Sequence, residues 1–83
     1  MTNEEIISKI NEFLIEEFEV DGATITPDAT LKETLELDSL DYVDLVVIIE
    51  GNLGIKVKQE DFSSILTFQN LYDYVISKLA QKA

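Results

Sequence analysis

The sequence predicts a small all-α protein: a bundle of four helices, with a long loop between the first two and a short third helix. Three observations lead there. Apolar residues recur at three- and four-residue spacing in three separate stretches. A helix-start signal stands directly before each stretch. No repeat or low-complexity segment interrupts them.

Thr2-Asn3-Glu4-Glu5 reads as a capping box, with Thr2 as N-cap and Glu5 at the third helical position. Ile6, Ile10, Phe13 and Leu14 then form a stripe widened by Ile7 and Phe18, and the helix is expected to end near Phe18, before Asp21-Gly22. From Glu19 to Leu37 the periodicity is lost and turn formers appear, first Asp21-Gly22 and then Thr26-Pro27-Asp28. Connectors of that length in a small domain are usually functional or disordered. Ile25, Leu31, Leu35 and Leu37 read as anchors that order this one, and Pro27 is placed to open a short helical turn capped by Thr26.

Asp38 is the expected N-cap of the second helix, with Ser39 at its first position and Asp41 at its third. Both carboxylates lie at the positive end of the helix dipole, where they stabilise it. This helix runs to about Leu53, and Gly54 supplies a left-handed terminator; Gly51 and Asn52 weaken its last turn. Ile55 and Val57 then alternate with Lys56 and Lys58, and Gln59-Glu60-Asp61-Phe62 predicts the short third helix. Thr67 caps the last helix, whose stripe is Phe68, Leu71, Tyr72, Val75, Ile76 and Leu79.

Composition narrows the function. The 83 residues support one domain, 1–83, that buries roughly 60% of its unfolded surface. Apolar residues make up 46% and aromatics 8%, enough for a packed core and too much for a disordered chain. The chain has no cysteine and no histidine, which removes disulfides, thiolate clusters and the common zinc sites. Asp21-Gly22 begins no calcium loop, so no metal site is expected. Acidic residues number 17 against 6 lysines, a net charge of -11. Nucleic acid and anionic membranes would be repelled, whereas partners with basic docking surfaces would be attracted, more strongly at low salt. No signal segment opens the chain and no apolar run is long enough to span a bilayer, so the expectation is a soluble cytoplasmic monomer without stable membrane insertion.

The second helix is apolar on more than one side. At about 100° per residue, Tyr42, Leu45, Val46, Ile49 and Leu53 share the arc that fills the core. Leu40 and Val47, and less squarely Val43 and Ile48, fall on the other side among Asp41, Asp44 and Glu50. A helix apolar nearly all round is either deeply buried or presents an interaction surface, and deep burial is hard to arrange in so short a chain. We therefore expect Leu40, Asp41, Val43, Asp44, Val47 and Glu50 to form an exposed docking strip. In the alternative arrangement, residues 19–37 fold over that face.

Ser39 stands beside the strip. A serine hydroxyl becomes a nucleophile only when a base takes its proton, and no acid–base group of suitable pKa is in evidence here. Ser39 thus reads as a point of attachment rather than a residue that attacks a substrate, and the chain as no enzyme.

Asp38-Ser39-Leu40-Asp41-Tyr42-Val43-Asp44-Leu45-Val46 resembles the attachment motif of acyl carrier proteins, and the likeness extends over the whole chain, through Ala29-Thr30-Leu31 and Leu35 to Thr67-Phe68. The resemblance implies an acyl-carrier-like bundle in which Ser39 carries 4′-phosphopantetheine taken from coenzyme A, with Asp38 beside it as N-cap. By that resemblance a phosphopantetheinyl transferase supplies metal and base. Ser39 Oγ bonds to the phosphate bearing the pantetheine arm, and adenosine 3′,5′-bisphosphate leaves. The arm's thiol then holds acyl intermediates as thioesters for acyl-processing enzymes of fatty-acid, polyketide or aryl-polyene-type biosynthesis. Cargo would slip between the second and third helices, along Val46, Ile49, Ile55, Phe62, Ile65 and Leu71.

The chain departs from the family in places. Leu35-Glu36-Leu37 stands where a glycine is usual two or three residues before the aspartate. Gly51 and Asn52 replace glutamates common in fatty-acid carriers, and Lys56 and Lys58 add positive charge near the third helix. These departures argue against the housekeeping fatty-acid carrier, and the motif Asp-Ser-Leu-Asp-Tyr-Val-Asp-Leu-Val-Val leans toward a specialised carrier for a polyketide-like, aryl-polyene-like or unusual lipid product. An amino-acid or D-alanine carrier, and an unmodified acidic helical interaction module, are the alternatives.

Overall fold

Helices form where the apolar stripes run in the computed structural model, which describes residues 2–38 and 40–82. The order is α1 (Asn3–Phe18), α2 (Leu31–Thr34), α3 (Asp41–Leu53) and α4 (Phe68–Lys82), with 3-10 turns at Gly22–Thr24 and Gln59–Ser63. The described residues contain no strand, only an isolated bridge between Thr30 and Thr67. The fold is the expected helical bundle, and its short third helix is the 3-10 turn Gln59–Ser63.

In α1 the Thr2 hydroxyl accepts from the Glu5 amide at 3.2 Å, as the capping box requires. Ile6, Ile10, Phe13 and Leu14 are buried, and the helix stops at Glu19, which turns left-handed. At the other end of the chain the Thr67 hydroxyl accepts from the Asn70 amide while Asn70 Oδ1 accepts from the Leu66 and Thr67 amides, a reciprocal cap for α4. Burial of the α4 stripe is complete at Phe68, Leu71 and Val75. Helix α4 packs along α1, and α1 along α3. Each large side chain so buried contributes about 1.5–3 kcal/mol. The α1–α4 seam is also stitched by the Tyr72 hydroxyl, which donates to Asn11 Oδ1 at 2.6 Å. Burial raises the pKa of that phenol.

The long loop is ordered, and its helical turn lies further along than Pro27 predicts. Pro27 opens only a turn, closed by the Ala29 amide on the Thr26 carbonyl. The carbonyls of Pro27 and Ala29 accept from the Gln69 and Phe68 amides, and the Leu31 amide donates to Leu66. Those three bonds tie the segment to the start of α4, so the helical turn forms after Thr30. Leu31, Leu35 and Leu37 are buried and Ile25 is half-buried, consistent with their reading as anchors.

After α3, Gly54 turns left-handed at φ 66° and its amide closes on Glu50. Ile55 and Val57 point inward while Lys56 and Lys58 face solvent. That alternation lays the 3-10 turn Gln59–Ser63 against α3, with the Phe62 ring 5.9 Å from Tyr42.

Candidate functional site

The segment before α3 is aimed by the end of α2. The Leu35 amide bonds back to Leu31, and the Leu37 amide bonds back to Lys32 at 3.0 Å. Between them Glu36 adopts φ 52°, a left-handed conformation. The bond from Leu37 to Lys32 is the outer, six-residue closure of a Schellman-type stop, in which the left-handed position is normally glycine. Glutamate occupies it here, at the place where the sequence lacks the usual glycine. The stop buries Leu37 and delivers Asp38 to the start of α3.

Asp38 and Asp41 then cap each other's backbone. Asp38 Oδ1 accepts from the Leu40 amide at 2.9 Å and the Asp41 amide at 3.1 Å, and Asp41 Oδ2 accepts from the Asp38 amide at 3.0 Å. Regular α-helix begins at Asp41, later than the cap alone predicts. The first turn is tighter, with the Asp41 amide on Asp38 and the Val43 amide on Leu40. Ser39, the proposed attachment residue, lies outside the described residues.

The outer face of α3 is open. Leu40 is 76% exposed, Val47 64% and Val43 46%; Asp44 is exposed, and Asp41, Ile48 and Glu50 are half-buried. Residues 19–37 do not cover Leu40, Val43 or Val47, so the alternative arrangement fails. Leu45, Ile49 and Leu53 are buried, with Tyr42 and Val46 half-buried beside them.

Next to Asp38 lies a groove of about 590 Å³. Its apolar lining comes from Leu37, Tyr42, Phe62 and Leu66, and its polar groups from Lys32, Asp38, Gln59 and Ser63. Of the six residues proposed along a cargo path, Phe62 lines this groove; Ile49, Ile55, Ile65 and Leu71 are buried in the core and Val46 is half-buried. Sequence reading missed Leu37 as a wall, and Leu66 and Lys32 altogether. Leu66 carried a signal, being an apolar residue off the helical stripe directly before the Thr67 cap.

The 3-10 turn that lines the groove is also bonded to α4. The Tyr74 hydroxyl donates to Asp61 Oδ2 at 2.5 Å. Burial, then the bond to Asp61 and its charge, push that phenol up to about 12. The Lys78 ammonium lies 5.4 Å from the centre of the Tyr74 ring. No group of three or more acidic side chains among the described residues could hold a metal ion.

Residues 8–75 match the family described as phosphopantetheine attachment site. The chain belongs to the acyl carrier protein family. It is 38% identical over 76 residues to the acyl carrier protein of Rubrobacter xylanophilus, covering 92% of this chain and 94% of that one. It is 40% identical over 80 residues to acyl carrier protein 2 of Ralstonia nicotianae, covering 96% and 99%. Among solved structures, the acyl carrier protein of Thermotoga maritima superposes with a TM-score of 0.79 at 32% identity, over 98% of this chain and 94% of that chain. The Enterococcus faecalis protein gives 0.75 at 27%, over 94% and 99%.

Acyl carrier proteins are carriers rather than catalysts, so the chain is not an enzyme. Their prosthetic group is 4′-phosphopantetheine, and they work with a phosphopantetheinyl transferase and acyl-processing enzymes. The residues around position 39 fit such an arm. Asp38 and Leu40 on either side are exposed, and the groove beside Asp38 is lined by both apolar and polar side chains. No helix among the described residues is long and apolar enough to cross a membrane.

Proposed function

We propose that this chain is one carrier domain, residues 1–83, that holds acyl intermediates as thioesters on a 4′-phosphopantetheine arm attached to Ser39. The observation that carries the reading is the pair of reciprocal caps made by Asp38 and Asp41 around position 39, beside an apolar groove. The group supplies a terminal thiol, which a chain without cysteine cannot provide for itself. Leu37, Tyr42, Phe62 and Leu66 lie along the arm and the first atoms of its cargo. A longer chain that parts α3 from the turn Gln59–Ser63 meets Val46, Ile49, Ile55, Ile65 and Leu71 next.

Leu40, Asp41, Val43, Asp44, Val47 and Glu50 dock the transferase and the acyl-processing enzymes, through apolar contact ringed by carboxylates that meet basic surfaces. The protein acts as a cytoplasmic monomer, and its pathway is fatty-acid or polyketide/aryl-polyene-type biosynthesis. Gly51 and Asn52 in place of the glutamates common in fatty-acid carriers, and the lysines at 56 and 58, favour a specialised carrier over a general fatty-acid one.

Intact mass tests the reading. Incubated with coenzyme A, Mg²⁺ and a broad-specificity transferase, the protein gains one phosphopantetheine and Ser39→Ala gains none. Modification at Ser8, Ser63, Ser64 or Ser77 instead overturns it. Intact mass of protein from its native host then reads the cargo and separates an acyl carrier from an amino-acid carrier.

A further inference from the structure

The groove beside Asp38 has one wall that belongs to no α-helix. Gln59, Phe62 and Ser63 come from the 3-10 turn, which lies between an alternating segment and the Leu66-Thr67 corner. Short 3-10 segments have poorer hydrogen-bond geometry than α-helix, so the position of this wall depends on what grips it from outside. Two contacts do so, each made by a tyrosine. Phe62 rests against Tyr42 of α3, and Asp61 accepts the Tyr74 hydroxyl of α4. One phenol of α4 thus meets the turn at its third residue. Lys78, one helical turn further along α4, places its ammonium over the ring.

We infer that Tyr74 and Asp61 form a latch that holds the 3-10 turn against α3 and so sets the width of the groove for the cargo. The inference rests on the proposed use of that groove as the seat of the arm and its cargo. Tyr74 is a positioning residue, acting through Phe62, Gln59 and Ser63, and does not itself line the groove. With the latch closed, Phe62 and Tyr42 stay in contact and the seat suits a short or slender chain. With it open, the wall swings out and the thioester loses its cover.

The test uses the full-length holo protein loaded with an octanoyl thioester, in five forms: wild type, Tyr74→Phe, Asp61→Ala, Asp61→Asn and Tyr72→Phe. The last deletes a comparable hydroxyl from the same helix, breaking the bond to Asn11 on α1, and neither residue lines the groove. It therefore reports simple loss of stability. Two quantities are read: hydrogen exchange at the Ser64 and Ile65 amides, which bond within the turn, and the rate of thioester cleavage by hydroxylamine.

In Tyr74→Phe and Asp61→Ala both rates rise about fivefold, the equivalent of one ordinary net hydrogen bond. Asp61→Asn, which keeps an acceptor for the phenol, stays near wild type, as does Tyr72→Phe. Equal cleavage rates in Tyr74→Phe and Tyr72→Phe, with wild-type thioester still protected, overturn the latch alone. A wild-type thioester cleaved as fast as free octanoyl-pantetheine overturns the groove as the seat, and the latch with it.

Discussion

Replacing Glu36 by glycine should make this protein more stable, although it removes a side chain and adds none. Glu36 sits at φ 52°, where an L-residue brings Cβ too close to the following carbonyl, at a cost of about 1–2 kcal/mol. Glycine escapes that penalty but loses more backbone freedom on folding, which costs about 0.5–1 kcal/mol. The difference leaves a gain of about 0.5–1 kcal/mol. The Glu36 side chain is exposed, so its removal adds little, surface changes usually staying within about 0.5 kcal/mol. For a domain of this size the gain raises the melting temperature by about 2–8 °C. Thermal and urea denaturation followed by circular dichroism measure it, with Glu36→Ala as the control. Alanine keeps Cβ and therefore the strain, so it should not stabilise. If Glu36→Ala and Glu36→Gly melt alike, or if the glycine variant is less stable than wild type, the strain argument is refuted.

Removing the cap at α3 by Asp38→Ala should cost about 1 kcal/mol while Asp38→Asn costs far less, and equal losses in urea denaturation would show that charge rather than hydrogen bonding matters there. Asp44→Lys combined with Glu50→Lys should slow phosphopantetheine loading at low salt and lose most of that effect at high salt; wild-type loading rates at low salt would remove α3 from the docking surface. Tyr74 gives a pH signature. Its phenol is held at about 12 in the folded chain against 10.0 ordinarily, so the native state keeps the proton more tightly. The stability this contributes is fully present below pH 10 and is lost as pH rises toward 12, a slope that Tyr74→Phe should reduce in alkaline denaturation curves. Ile49→Ala, at a fully buried position, should cost about 2–5 kcal/mol, measured by urea denaturation.

Much of this molecule is legible in the sequence because much of it is local. Thr2, Asp38 and Thr67 bond to amides two or three residues away, so each cap can be read from the neighbouring letters. The stripes of α1 and α4, and the two-sided character of α3, follow from helical period alone. The period also says that Leu40, Val43 and Val47 cannot share the core arc with Leu45 and Ile49. The proposal for Ser39 likewise rests on a chemical deduction from the sequence: with no histidine or cysteine in the chain, a serine between two aspartates is a better place to hold a group than to perform catalysis.

What the sequence could not give is whatever depends on segments far apart in the chain. The helical turn of the long loop lies at Leu31–Thr34 because Pro27 and Ala29 are bonded to the distant amides of Gln69 and Phe68, and no local signal at Pro27 reports that. Glu36 takes a conformation its own side chain disfavours because the packing of Leu35 and Leu37 on either side outweighs the strain. The groove exists only where Lys32, Leu37, Tyr42, Phe62 and Leu66 converge from the loop, α3, the 3-10 turn and the corner before α4. Periodicity assigns Ile49, Ile55, Ile65 and Leu71 an inward face, but it cannot tell a residue packed in the core from one that lines an opening. That distinction, like the pairing of Tyr74 with Asp61, is a matter of distance between elements, and only the tertiary structure decides it.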